Sequence, residues 1–351
     1  MNFGQSDPFV GEWLRGEGLD SDLVISSRVR LARNLTDLPF GTVAGDLQRA
    51  KVADRIKDAI DNLRPGLKLT TKHLEEMDLI ERMVLVERHL VSRELAHGSG
   101  PRVVAFDDSE GISLMGNEED HLRIQVVKSG YRLEEAWQEM DELEKALDGE
   151  LQFAFDEQYG YLTACPTNTG TGLRASVMLH LPALVITGQI EEVTRAATRM
   201  HLAVRGLFGE GTEAQGDFFQ ISNQRTLGVT EEKILKHISS VLPNIINYER
   251  QLRTELLDRK RERIEDRIWR AFGILSHAKV IRSKEALELL SLVRLGVCLD
   301  LLGKLTLEQV NRMFLFTQPG HLQAKEGQEL SSDERDMRRA SVLGRILREN
   351  N

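Results

Sequence analysis

Cys165–Ser176 reads Cys-Pro-Thr-Asn-Thr-Gly-Thr-Gly-Leu-Arg-Ala-Ser, a thiol and an arginine joined by a stretch too rich in Gly and Thr for helix or strand. Glycines let backbone N–H groups approach an anion closely, and the fork of Arg174 can chelate phosphate oxygens. Cys165 can be a reactive thiolate or a small buried hydrophobe, and no His/Asn pattern of a cysteine hydrolase accompanies it. A second segment, Ser26–Asn34, carries Arg28 and Arg30 two residues apart. In a strand both point to one face, where two guanidinium forks make a polyphosphate clamp. An edge strand decorated with charge would read the same way. A third segment, Asn117–Arg123, holds three consecutive acids, which repel unless a cation sits nearby. Glu119 and Arg123 there can set a carboxylate beside a phosphate-binding arginine; a solvated acidic turn is the plain alternative. The fourth, Arg205–Glu213, is Gly-rich and bears Glu210 and Glu213, as a closing loop or a surface loop would. No P-loop signature and no protein-kinase motif set occurs, so any phosphate chemistry must rest on arginines.

The elements that hold these segments follow from the pattern along the chain. Ile25–Asn34, Val103–Phe106, Ile112–Met115, Leu122–Val127, Leu151–Phe155, Val177–Leu181 and Phe218–Ile221 read as extended segments. Leu47–Leu63, Lys72–Ala96, Leu133–Leu147 and Ile190–Leu207 carry apolar residues at helical spacing. After about Thr230 strand signals stop. Glu231–Ala271, Ala286–Leu302, Leu307–Leu315 and Ser331–Arg348 read as helices, with a break at Pro319-Gly320. The expected fold class is therefore α+β, with an all-helical C-terminal part.

The 351 residues are 41% hydrophobic and 29% charged, ordinary for a globular chain of about two domains. A net charge of −9 argues against general nucleic-acid binding and suits a cationic partner or a solvated acidic surface. Two cysteines, Cys165 and Cys298, make no disulfide framework. No basic segment followed by an apolar one opens the chain, and no apolar run approaches a membrane span. A cytoplasmic, reducing setting with no membrane contact is expected.

Taken in order, the segments SSRVRLARN, NEEDHLRI, CPTN-GTGLRA, the GE-TE loop and Ile221-Ser222-Asn223-Gln224-Arg225 resemble the active-site blocks of phosphagen (guanidino) kinases. The match covers about residues 20–235. It implies a guanidino-kinase-like catalytic domain over 14–250, with a mainly antiparallel sheet flanked by helices, and a helical C-terminal domain over 251–351. It implies ATP with Mg²⁺, and no residue is assigned as a metal ligand. Glu119 would be the general base, Glu213 would hold the guanidinium, and Cys165 would contact it without attacking. Nucleotide contacts would come from Ser26, Ser27, Arg28, Val29, Arg30, His89 on the Lys72–Ala96 helix, Arg123, Arg174, Ala175, Ser176, Val177 and Met178. The closing loop would add Arg205, Gly206, Leu207, Phe208, Gly209 and Glu210.

Departures from the pattern carry information. Creatine and arginine kinases begin with a small helical domain that closes over free substrate, and little chain precedes the first block here. The arrangement is similar to bacterial protein arginine kinases, in which a wider pocket would admit an arginine side chain of a protein. Arg335-Asp336-Met337-Arg338-Arg339-Ala340 fits the RDxxRA motif by which such kinases bind phosphoarginine away from the catalytic site, with Arg335, Asp336, Arg339 and Ala340 as contacts. An ordinary charged helix face with an Asp336–Arg339 pair is the plain alternative. Phe208 stands where the family commonly has a second clamp arginine, so that either Arg205 compensates or the clamp is weaker. Met178 stands in place of a histidine near adenine, so base packing there should be apolar. The resemblance further implies protein substrates, an activator protein, a heat-shock repressor, a Clp-type protease in stress response, and a homodimer or higher oligomer. A phosphagen kinase acting on free arginine, or a non-catalytic nucleotide-dependent adaptor, would use the same residues.

Overall fold

The computed structural model describes residues 11–41, 43–63, 67–206 and 215–349. Among the described residues ten strands form: β1 (Val24–Arg33), β2 (Leu69–His73), β3 (Val103–Asp107), β4 (Ile112–Gly116), β5 (Leu122–Ser129), β6 (Phe155–Asp156), β7 (Gly160–Tyr161), β8 (Leu173–His180), β9 (Leu202–Gly206) and β10 (Phe218–Asn223). Eight of them make one antiparallel sheet in the order β2-β3-β4-β5-β1-β8-β10-β9. β6 and β7 form a separate small ribbon.

Strand alternation divides the sheet into two faces. Val29 and Leu31, Ile124 and Val126, and Ala175 and Val177 point one way and are buried. They pack against α1 (Asp46–Asp61), α4 (Leu133–Leu151) and α7 (Glu231–His277) in the main core. In α4 the residues Ala136, Met140, Leu143, Leu147 and Leu151 recur every three or four positions and make one buried stripe. Each buried Leu there contributes roughly 1.5–3 kcal/mol. The other face carries Arg28, Arg30, Arg123, Gln125 and Arg174. Over β3 and β4 it is covered by α2 (Leu79–Glu87) and α3 (Arg93–His97), through a second small core that includes Leu85, Leu90, Leu95, Val104, Phe106 and Met115. The cleft lies on the rest of this face.

Among the described residues no strand follows β10. Thr230 caps α7 by accepting Lys233 N–H at 3.3 Å, and α7 then runs for 47 residues with non-helical geometry at Lys260. It crosses residue 250 without a linker. Short helices α5 (Pro182–Ile186) and α6 (Ile190–Arg199) precede it; α8 (Ser283–Cys298), α9 (Leu307–Phe316), α10 (Pro319–Glu326) and α11 (Ser332–Glu349) follow. Among the described residues no helix is long and apolar enough to cross a membrane.

Local expectations are corrected in several places. Lys72–Ala96 is not one helical stretch: Lys72 and His73 belong to β2, Asp78 starts α2 with a capping box to Glu81, and α2 stops before His89, which is left-handed at φ 60°. Helical spacing misled because the small core collects helix residues such as Leu85 and loop residues such as Leu90 alike. Of Leu151–Phe155 only Phe155 enters a strand, β6, since α4 continues to Leu151 and Gln152 turns left-handed at φ 54°. Ile190–Leu207 is helical only to Arg199; Leu202–Gly206 returns as an edge strand beside β10. Pro319-Gly320 does more than break a helix. Pro319 takes the first turn of α10, where its missing N–H has no partner to lose.

Candidate active site

The strand register assembles the cationic cluster. Arg30 on β1 faces Arg174 on β8 and Gln125 on β5, while Arg28 faces Ser176 and Val127. Arg123 lies two residues before Gln125 and shares its face, and Arg205 on β9 pairs with Gln220 on β10. Arg28, Arg30, Arg123, Arg174 and Arg205 thus line one open cleft of about 650 Å³. Arg174 is already part of β8, which starts at Leu173, four residues before the apolar run at Val177.

This clustering is electrostatically unfavourable on its own. Like charges directly opposite in a sheet repel. Burial, then Arg174 and Arg123, pushes Arg28 down to about 10. Burial, then Arg205 and Arg123, pushes Arg174 down to about 10. Arg30 is lowered still more by burial and by Arg28, Arg123 and Arg174, with Glu118 acting the other way. Among the described residues the partners of Arg28 and Arg174 are neutral: Arg28 Nη2 donates to Gln220 Oε1 at 2.7 Å, and Arg174 Nη2 to Ser222 Oγ at 3.2 Å. The Nε groups of Arg30 and Arg174 are buried without an acceptor. Buried charge of one sign costs several kcal/mol per ion unless a counter-ion joins it, and phosphate oxygens meet that need.

The acidic turn supplies the opposite sign. Glu118, which the sequence reading passed over, grips Arg123 Nη1 at 2.7 and 2.6 Å. Glu119, expected beside Arg123, stands at 3.7 Å and is 43% exposed. Glu118 therefore neutralises Arg123, and Glu119 is left facing the cleft. Asp120 and His121 do structural work. Asp120 Oδ1 accepts from Asn34 Nδ2 at 2.7 Å and from Ala164 N at 2.6 Å, tying the turn to the start of the thiol loop. His121 Nδ1 accepts Leu35 N–H at 3.0 Å.

That loop sets Cys165 in the same cleft as Glu119, with Sγ 3.0 Å from Thr167 Oγ1. Two glycines allow its close passage. A Cβ at Gly170 (φ +112°) would lie 2.3 Å from Thr226 O, and one at Gly172 (φ +62°) 2.6 Å from Ala32 O. Thr226 Oγ1 meets the carbonyls of Thr167 and Thr169 at 2.9 and 2.8 Å.

Other expected contacts divide. Ser26, Ser176, Met178 and His89 line a small space beside the cleft, with Met178 giving the expected apolar surface. His89 is not on a helix; it follows α2, its ring 4.6 Å from Trp13, and burial beside Arg28, Arg30 and Arg93 lowers it to about 3. It is a neutral group at ordinary pH. The side chains of Ser27, Val29, Ala175 and Val177 point away from the cleft, by the same alternation that gathers the arginines. Ser27 Oγ bonds Gly130 O at 2.9 Å instead. Gly206 ends β9 opposite Phe219. Leu207, Phe208, Gly209, Glu210 and Glu213 lie outside the described residues. Gln220 and Ser222, partners of the clamp, were missed; their signal was alternation in the short apolar β10.

The C-terminal motif lies on α11. Arg335 Nη1 donates to Leu330 O at 2.6 Å. Arg339, 2% exposed, donates to Thr317 O at 2.9 Å and Ile281 O at 3.0 Å and pairs with Asp336 at 2.5 Å; Ala340 is buried beside it.

Comparison with known proteins agrees with this geometry. Residues 51–252 match the model for ATP:guanido phosphotransferase, C-terminal catalytic domain, and 261–351 match the protein-arginine kinase McsB C-terminal domain. A protein-arginine kinase of Brevibacillus brevis is 46% identical over 338 residues, covering 96% of this chain and 95% of its own. The chain belongs to the protein-arginine kinase family. The relative from Moorella thermoacetica is 46% identical over 339 residues, with 96% and 97% coverage. Among solved structures, lombricine kinase shares the fold at TM-score 0.61 and 24% identity, covering 70% of each chain. The duplicated taurocyamine kinase of Schistosoma mansoni gives 0.60 at 28% identity over 71% of this chain and 36% of that one. Kinases of this family are ATP-dependent phosphotransferases that use Mg²⁺. Among the described residues no group of three His, Cys, Asp or Glu side chains could hold a metal. A magnesium ion that arrives on phosphates needs only one or two protein carboxylates, and Glu118 and Glu119 line the cleft.

Proposed function

We propose that this chain transfers the γ-phosphate of ATP to arginine side chains of proteins. The observation that carries the reading is a set of adjacent, half-buried arginines, Arg28, Arg30 and Arg174, in one cleft with Glu119 and Cys165, where Arg28 and Arg174 have neutral partners. Phosphoryl transfer passes through a loose, in-line transition state, so positioning and charge neutralisation do most of the catalysis. Arg28, Arg30, Arg123 and Arg174 would hold the phosphates, with Arg205 taking the place lost at Phe208. A guanidinium has a pKa above ~12 and attacks only as it loses a proton. Glu119 takes that proton as nitrogen bonds to the γ-phosphorus and ADP leaves. Glu213 would hold the remaining guanidinium nitrogens, and the Cys165 thiol would orient the group without covalent attack.

The Arg335–Ala340 segment would bind phosphoarginine as an allosteric site. Because Arg339 already holds three groups of the fold, Arg335→Ala is the cleaner variant. It should leave basal transfer unchanged and remove the response to added phosphoarginine; an unchanged response would discard the site. By analogy the enzyme works in the cytoplasm as a homodimer or larger assembly. Its partners would be an activator protein, a heat-shock repressor and a Clp-type protease that degrades marked proteins under stress.

The test is incubation with ATP and either free arginine or an unfolded arginine-rich protein, followed by mass spectrometry without acid. Phosphate on protein arginines is expected. Phosphate on the free amino acid alone would make it a phosphagen kinase, and no transfer would make it a nucleotide-dependent adaptor.

A further inference from the structure

The nucleotide wall is tied to the C-terminal helices through one carboxylate. Glu87 is the last residue of α2, and its side chain reaches the start of α10. Its Oε1 accepts Gly320 N–H at 2.6 Å, and its Oε2 accepts His321 N–H at 2.9 Å and faces His321 Nδ1 at 2.7 Å. Pro319 has no N–H, so Gly320 and His321 carry the first free donors of α10, and both point at Glu87. The positive end of a helix suits a carboxylate there. The approach at Gly320 is close: a Cβ there would lie 2.9 Å from Glu87 Oε2.

Both sides of this joint lead somewhere. Two residues after Glu87 comes His89, held left-handed by the bonds that end α2, from His89 N to Val86 O and from Leu90 N to Leu85 O, both 3.0 Å. His89 O accepts Gln125 Nε2 at 2.8 Å, and Gln125 stands opposite Arg30. On the other side Thr317, two residues before Pro319, gives its carbonyl to Arg339 at 2.9 Å. A cavity of about 20 Å³ lined by Glu87, His89, Phe218, Phe314 and Gln318 lies at the joint, so packing there is incomplete.

We propose that Glu87 is a positioning residue. By capping α10 it sets where α2 ends, and hence where His89 stands against Arg28 and Arg30, so that nucleotide affinity answers to the α10–α11 helices. The proposal rests on the cleft binding nucleotide and is independent of which guanidine accepts the phosphate.

The experiment uses the full chain and MgADP. Glu87→Gln keeps the shape and removes the charge; Gly320→Ala drives a methyl group into the carboxylate. In both, the Kd for MgADP by calorimetry and the KM for ATP should rise about 5- to 20-fold, the size of a typical coupling between sites, with kcat at saturating ATP nearly unchanged. His321→Asn, which keeps a side-chain N–H near Glu87, should stay close to the parent. Folded variants with unchanged MgADP affinity, or with lowered kcat at unchanged KM, overturn the proposal. A measurement on the unaltered protein guards against variants that fail to fold. Linkage is reciprocal, so MgADP should slow amide hydrogen exchange at Gly320 and His321, which lie outside the cleft. Unchanged exchange at saturating MgADP overturns it as well.

Discussion

Two sets of arginines can be compared in this molecule, one fully buried and one half-buried in the cleft. Arg33, Arg88 and Arg253 each meet a carboxylate: Glu144 at 3.0 Å, Glu110 at 2.5 Å and Glu249 at 2.9 Å. Arg33 also lies over the Tyr161 ring at 3.4 Å and donates to Ala32 O and Thr171 O. Arg294, equally buried, gives its protons to Ser21 O, Asp22 O and Asn311 Oδ1. These arginines serve the fold, and their charge is answered inside it. Arg28, Arg30 and Arg174 are set side by side, Arg28 and Arg174 with neutral partners, and their own repulsion is left standing. Arg30 and Arg33 are three residues apart on one strand. What separates them is the face on which alternation leaves each side chain and what the opposite element brings there. Arginines crowded together without a counter-ion mark where a ligand supplies one.

The largest expected effect comes from the carboxylate that stands farther from Arg123, Glu119. Glu119→Gln should lower single-turnover phosphotransfer by about 10²–10⁴-fold while MgADP binding persists. Wild-type turnover of that variant would remove Glu119 as the base. Next, the two classes of arginine should part. Arg30→Ala should cost about 10²–10³ in kcat, the usual loss for one transition-state donor, and leave the thermal midpoint equal or higher. Arg33→Ala should cost about 3–5 kcal/mol of stability by stranding Glu144, with activity falling only as the folded fraction falls. Thermal melts beside kinetics decide; an Arg30→Ala protein less stable than Arg33→Ala would end the comparison.

A pH series gives a smaller effect. Burial and the neighbouring arginines hold Arg28 and Arg174 down to about 10 in the fold, below the ordinary guanidinium range, so from about 10 upward the unfolded chain binds more protons. Stability therefore gains as pH rises through that window, because repulsion in the clamp is relieved, and it is lowest below about 10. MgADP affinity should move the other way, flat below about 10 and falling above it, as calorimetry at each pH would report. Affinity that rises with pH there would contradict the clamp. The smallest expected change is Cys165→Ser, about tenfold in kcat, or ~1.4 kcal/mol. Complete loss would point to covalent attack by the thiol.

Much of the site was legible before any coordinates. Arg28, Arg30, Arg123, Arg174, Glu119 and Cys165 announce themselves by residue type and spacing, and they meet in one cleft. The α+β division, with strands ending before α7, was legible from periodicity. Other parts were hidden for a common reason. Glu118 and Glu119 are neighbours of identical chemistry, and only the turn geometry decides which one holds Arg123. His89 read as helical because Leu85, Leu90 and Leu95 fill one small core through helix and loop alike. Ser27, Val29, Ala175 and Val177 sit in the right motifs but on the wrong face.

The sequence by itself determined the chemistry. Arginines in place of a P-loop lysine, adjacent carboxylates and a glycine-bearing thiol loop are covalent facts that no fold can alter. Tertiary structure decided which charges are spent on the fold and which are kept for a ligand. It also decided that α10 starts against Glu87, more than two hundred residues away in sequence. Both are questions of register and packing between distant segments, and local patterns carry no information about distances they do not span.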